Sequence, residues 1–227
     1  MVQRQSNDRR ELAEVVVFTG DLVGSSKLSS AELTEALQAL DAASGRIGHV
    51  WSLMRGAAAG WDARFSSFRG DGWQCIVPEP AFALRSALIL RAHLAALGRP
   101  FDTRISIGMG AGELPERALG AATGPAFELS GRGLDDMRHA QRFLVAWQRP
   151  PAEAPLLRAI FALADEISRK WTPAQAKAFA RLLADHPRPS QERLAAALGI
   201  TQQTVAEHLA GGGDWALKEA LAAVEGG

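Results

Sequence analysis

Cysteine is nearly absent from this chain of 227 residues, where Cys75 stands alone. An intrachain disulfide is excluded, as is a zinc site built on thiolates, and a reducing compartment fits. A surplus of charge is absent too. The 25 Lys and Arg residues balance 25 Asp and Glu, so no overall positive field gathers nucleic acid, and no polybasic tail points to a membrane surface. Long apolar runs are missing. The most apolar stretch, near 81–97, is interrupted by Arg85, Arg91 and His93, and is too short and too charged to span a bilayer. Residues Met1 to Arg10 are polar and lack the apolar core of a signal peptide. Neither Gly-x-Ser-x-Gly nor His-Glu-x-x-His occurs, and His49, His93 and His139 show no metal-ligand spacing. The expectation is a cytoplasmic protein without a membrane segment. What is present suits a packed core: 47% of residues are hydrophobic and 22% charged, too apolar for wholesale disorder. At ~150 residues per domain, the length suggests one large domain and one small.

The pattern along the chain divides in the same way. Residues 14–18 (Glu-Val-Val-Val-Phe) read as a strand covered on both faces, ending at Thr19-Gly20-Asp21. Ser29 with Glu32 forms a capping box, so a helix starts near 30 and stops by Gly60, with Gly45 offering a break. Strands near 63–69 and 72–78 flank Gly70-Asp71-Gly72, a hairpin signal, and Trp73, Cys75 and Val77 share one face. Pro80 suits the first turn of the next helix and Gly98 its C-terminal cap. Residues 101–109 alternate, with Thr103, Ile105, Ile107 and Met109 on an apolar face and Arg104, Ser106 and Gly108 on a small-residue face. A short helix near 124–138 and a strand at 142–147 complete the order β, α, ββ, α, β, α, β. A hairpin inside an α/β alternation predicts an α+β sandwich with a mixed or antiparallel sheet. At Arg149-Pro150-Pro151 the pattern turns helical, giving a boundary between domains 1–149 and 150–227. Helices are expected near 153–169, 173–185, 191–198, 202–210 and 214–224.

Two acidic turns carry candidate chemistry. Thr19-Gly20-Asp21-Leu22-Val23-Gly24-Ser25-Ser26 joins a buried strand to a capped helix. Its glycines permit close backbone approach, its backbone N–H groups can hold phosphate, and Asp21 is a hard oxygen ligand for magnesium or manganese. Asp71, in the hairpin, reaches a common point with Asp21 if the two strands are neighbours. Ordinary turn chemistry accounts for both motifs equally well.

Together with Arg104-Ile105-Ser106-Ile107-Gly108-Met109-Gly110-Ala111-Gly112-Glu113 and Gly124-Pro125-Ala126-Phe127-Glu128-Leu129-Ser130-Gly131-Arg132, these motifs resemble the catalytic domain of class III nucleotidyl cyclases. The resemblance covers about 14–147 in the right order. It is closer still to the SatD-like bacterial family, which pairs such motifs with a C-terminal helix-turn-helix. The resemblance implies a ferredoxin-like, class III cyclase-like sandwich and a homodimer. It implies that Asp21 and Asp71 bind Mg or Mn, and that Leu22, Val23, Gly24 and Ser25 form the triphosphate turn. Arg132 matches the arginine that stabilises phosphate charge in an active cyclase. Active cyclases carry asparagine where Glu128 stands, and the base-selecting pair falls at Ser67 and Ala121, which cannot read a purine. Independently of the resemblance, Glu128 and Arg132 are spaced to form a simple surface ion pair, and Trp73 to lie in the core or stack on a base.

The segment Gln191 to Ala210 has helix-turn-helix spacing: Ala195 allows close crossing, Gly199 makes the turn, and Ile200, Val205 and Leu209 plug the shared core. Its second helix would offer Thr201, Gln202, Gln203, Thr204 and His208 to DNA, glutamine to adenine edges and threonine to a thymine methyl. From 151 to 227 there are eight basic and nine acidic residues, so phosphate contacts are few and a protein-packing use of the motif stays open. The reading is a DNA-binding regulator with a degenerate cyclase-like domain sensing a metal-bound nucleotide or phosphate ligand. The alternatives are an active cyclase with altered base selectivity and a non-catalytic assembly protein.

Overall fold

The computed structural model describes residues 13–56, 64–68, 70–98, 100–113 and 122–226. It is a mixed α+β structure in which five strands form one open sheet, ordered β2-β3-β1-β4-β5, with α-helices between and after them. The strands are β1 (Ala13–Leu22), β2 (Phe65–Phe68), β3 (Gly72–Val77), β4 (Thr103–Gly112) and β5 (Phe143–Trp147). Central β1 pairs antiparallel with both β3 and β4, β2 pairs antiparallel with β3, and β5 runs parallel to β4. The first six elements therefore form two interleaved split β-α-β units, and the parallel β5 is reached through a helical crossover.

Helix α1 (Ser30–Arg55) starts at the capping box, where Ser29 accepts from the Glu32 amide and Glu32 accepts from the Ser29 amide. It passes through Gly45 without a break, because Ala43, Ser44, Ile47 and Gly48 on its buried face keep it against the core. Helix α2 (Ala83–Ala95) follows a 3-10 turn at Pro80–Phe82 and ends at Ala96, before Gly98. Its residues 86–92 are all buried. A helix that is apolar on every side must be covered on every side, and α2 is: α1, β4 and three of the helices that follow β5 pack on it. The stretch whose polar residues argued against a membrane span is the central helix of the protein. Among the described residues no helix is long and apolar enough to cross a membrane.

Helix α3 (Pro125–Asp136) covers the other sheet face. The small-residue face of β4 explains its closeness. A Cβ on Gly108 would lie 2.2 Å from the Ala126 carbonyl oxygen, so helix and strand meet backbone to backbone.

The chain turns helical after Pro151, with α4 (Ala154–Ser168), α5 (Pro173–Ala184), α6 (Gln191–Leu198), α7 (Gln202–Gly211) and α8 (Asp214–Glu225). The apolar core crosses the 149/150 boundary. Phe161, Phe179, Leu182, Leu194, Val205, Leu209 and Leu221 belong to the same buried cluster as Val16, Phe18, Leu40 and Leu88. Arg85 on α2 forks onto Glu225 at 2.6 and 2.9 Å and donates to the Leu183 carbonyl, tying α2 to α8 and α5. Buried Arg91 on α2 lies against Asp165 of α4 and over the Phe143 ring, while Asp165 accepts from the amides of Arg142 and Phe143.

Gly108→Ala is expected to lower stability in urea by roughly 1–3 kcal/mol, because the docked backbone must shift. Gly131→Ala in α3, where a Cβ meets nothing within 4 Å, should instead leave stability unchanged or raise it by up to about 1 kcal/mol through helix propensity.

Candidate functional site

Strand register assembles the acidic end of the sheet. Asp21 sits opposite Gly72 on β3 and opposite Arg104 on β4. Asp71, one residue before Gly72, therefore comes to the same strand end, and its carbonyl accepts from the Leu22 amide at 3.3 Å. The two candidate residues thus stand at one end of the sheet. Thr103 strengthens the corner: its hydroxyl donates to the Asp21 carbonyl at 2.7 Å and accepts from the Trp73 indole N–H at 3.0 Å. Trp73 is fully buried, so it is a core residue and not a base-stacking surface. Gly20 makes room for it, since a Cβ there would lie 2.4 Å from the indole. Its close approach serves the core; Gly24, with φ 69°, serves the turn.

The side chains of this corner are already engaged. Arg104 forks onto Asp21, its Nε 2.9 Å from Oδ1 and its Nη2 against Oδ2. The Ser25 hydroxyl donates to Asp71 Oδ2. The bond to Asp21, with the charges of Asp21, Asp135 and Asp71 behind it, raises the Arg104 pKa above the ordinary arginine value against the opposing effect of burial. Among the described residues no three His, Cys, Asp or Glu side chains come together to hold a metal ion. A divalent cation here would need Asp21, and both Asp21 oxygens are bonded to a cation already. As they stand, these residues do not fit Mg or Mn.

The turn itself is short and folded in. Leu22 is buried, the Val23 amide donates to the Asp102 carbonyl at 2.9 Å, and residues Ser25–Lys27 form a 3-10 turn with Gly24 exposed. The Val23 amide, one of the expected phosphate donors, is therefore spent inside the fold. Arg132 lies 3.6 Å from Glu128, both side chains about 70% exposed, in the i,i+4 ion pair that their spacing allows. Ser67 is exposed on β2. Ala121 lies outside the described residues. Sequence reasoning placed Arg104 on the small-residue face but gave it no partner, and gave Asp135 no role. The β1–β4 register supplies the first, and the packing of α3 on the sheet supplies the second.

At the other end of the chain α6 and α7 are joined by a short turn at Gly199 and Ile200. Ser190 caps α6 by accepting from the Arg193 amide, Gly199 turns the chain with φ 67°, and Thr201 caps α7 by accepting from the Thr204 amide. Val205 and Leu209 are buried against Leu194 and Ala195. Ile200 is not a core plug as expected; it is 36% exposed beside the turn. Thr201, Gln202 and Gln203 are exposed, and Thr204 and His208 half-buried. The Thr201 and Thr204 hydroxyls bond each other at 2.8 Å, and Gln203 donates to Glu207 at 3.1 Å.

Comparison with protein-family models, with curated proteins and with solved structures finds no match to this chain.

Cys75 is no nucleophile. Burial, with the charge of Asp41 adding to it, pushes its thiol up to about 12. Between pH 9 and about 12 the native state keeps a proton that the unfolded chain releases, so unfolding becomes easier as pH rises through that window. Cys75→Ala should flatten the alkaline fall in stability measured by urea denaturation. Thiol reagents should label the unmodified protein only as fast as it unfolds.

Proposed function

We propose that this protein is a helix-turn-helix DNA-binding regulator whose sheet unit, ferredoxin-like in strand order and resembling a class III cyclase domain, serves as a non-catalytic sensing unit. The observation that carries the reading is α7. Its Thr201, Gln202 and Gln203 face solvent while Val205 and Leu209 fix it to the rest of the motif. A recognition helix must expose its N-terminal residues to reach base edges in the major groove. Thr201 and Thr204 are tied to each other as a cap, which leaves Gln202, and Gln203 once it releases Glu207, as the principal base readers. A homodimer would place two such helices on a two-fold site. Three features support a sensing role over catalysis: Arg104 engages Asp21, Glu128 engages Arg132, and Ser67 stands where a base-selecting lysine would be. The ligand class that the resemblance suggests is a nucleotide or another phosphate compound at the turn Leu22 to Ser25.

One observation favours a rival. The register brings Asp21 and Asp71 to one strand end, as an active nucleotidyl cyclase would require. Each nucleoside triphosphate incubated with the protein and manganese should give no cyclic product; turnover that disappears in Asp71→Ala would establish the rival instead.

Genomic fragments retained by the protein should share a sequence. Gln202→Ala combined with Gln203→Ala should cost roughly 1–3 kcal/mol per lost bidentate contact on that site, measured by fluorescence anisotropy, with melting temperature unchanged. Salt dependence should be shallow, since the helical segment from 151 to 227 carries eight basic against nine acidic residues. Retention of no common sequence would refute the regulator reading and favour an assembly role for the motif.

A further inference from the structure

We propose that Arg104 is the resident cation of the acidic strand end, standing where a divalent metal would otherwise be held, so that Mg or Mn is kept off Asp21 while Arg104 is in place. The guanidinium is bonded to Asp21 of β1, and the charges of Asp135 at the end of α3 and Asp71 in the β2–β3 turn add to the field that favours it there. The contact is set by the backbone. Asp21 and Arg104 are direct partners in the β1–β4 ladder, so both side chains rise from facing positions on the same side of the sheet. The fork is bidentate and uses both carboxylate oxygens, the arrangement in which arginine recognises carboxylate most strongly. Both side chains are only about a quarter exposed, at 29% and 24%, so solvent screens the pair less than it would on the open surface.

A dication arriving at Asp21 would have to break two charge-assisted hydrogen bonds and then rest beside a guanidinium. The second carboxylate is committed as well, since Asp71 accepts from Ser25. Magnesium and manganese bind through one or two carboxylates when substrate phosphates complete the shell, so withdrawing Arg104 would leave Asp21 and Asp71 as a minimal pair for such an ion. The sheet unit then meets its ligand without a metal at Asp21. This inference is independent of DNA binding by α7.

The test uses Mn alone, titrated into the full chain and followed by electron paramagnetic resonance of the free ion. The unmodified protein should show no site that depends on Asp21. Arg104→Gln should gain one, at least about tenfold tighter than any binding before the change, and adding Asp21→Asn should remove it again. A manganese site in the unmodified protein that Asp21→Asn abolishes and Arg104→Gln leaves unchanged or weakens overturns the proposal. A folded Arg104→Gln protein that gains no site overturns it too. If Arg104→Gln does not fold, manganese broadening of the backbone amide resonances of Val23, Gly24 and Ser25 in the unmodified protein decides: broadening confined to that turn overturns the proposal, and unchanged signals support it.

Discussion

The antiparallel pairing of β1 with β3 on one edge and β4 on the other is the constraint on which the rest of the structure depends. A strand bonded on both edges has no free backbone groups to shift, and a slip of one residue would turn Val16 and Phe18 out of the core. Because the register is held by that burial, the polar residues at the strand end are held as well. Asp21 must face Arg104 and stand beside the β2–β3 turn. Thr103, fixed at the start of β4, then ties Trp73 to the Asp21 carbonyl.

The two faces of the sheet use different physics. On one, Val16, Phe18, Ile105 and Ile107 meet α1 and α2 through large side chains, and stability comes from apolar area removed from water. On the other, α3 approaches so closely that Gly108 and the Ala126 carbonyl nearly touch. Close-packed backbone gains from dispersion at many contacts but tolerates no added atom. The C-terminal helices dock by both means. They extend the apolar cluster beyond α2, and at the seam Arg85 and Arg91 meet Glu225 and Asp165. Buried charges of this kind are costly unless paired, so they define how the helices sit more than how tightly they hold.

The two candidate functional features differ in their surface. The acidic corner is partly buried and internally bonded, Asp21 to Arg104 and Asp71 to the Ser25 hydroxyl. The N-terminal half of α7 is open, with its side chains facing water and its cap satisfied by Thr201. That contrast underlies the proposed division between a sensing unit and an output helix. It also explains why a cyclase-like order of motifs need not imply a cyclase: Asp21, Asp71 and Arg132 are all present, yet each has an intramolecular partner in Arg104, Ser25 and Glu128.

Much of the local structure was determined by the sequence itself, because its causes are local. The capping box at Ser29, the Gly70-Asp71-Gly72 hairpin, the alternation of β4 and the caps around α6 and α7 all act within a few residues. Ile200 was misread and Gly45 did not break its helix for the opposite reason: burial depends on what lies opposite, which no short window contains. Only the tertiary structure decided which strands are neighbours, that Gly20 yields its space to Trp73, that the helical segment shares the core of the sheet unit, and that Asp21 belongs to Arg104. These pairs are 53, 83 or more residues apart in places where the chain gives no local sign of its partner. Side-chain type sets what a residue can bond, but the β1–β4 register sets which partner is within reach.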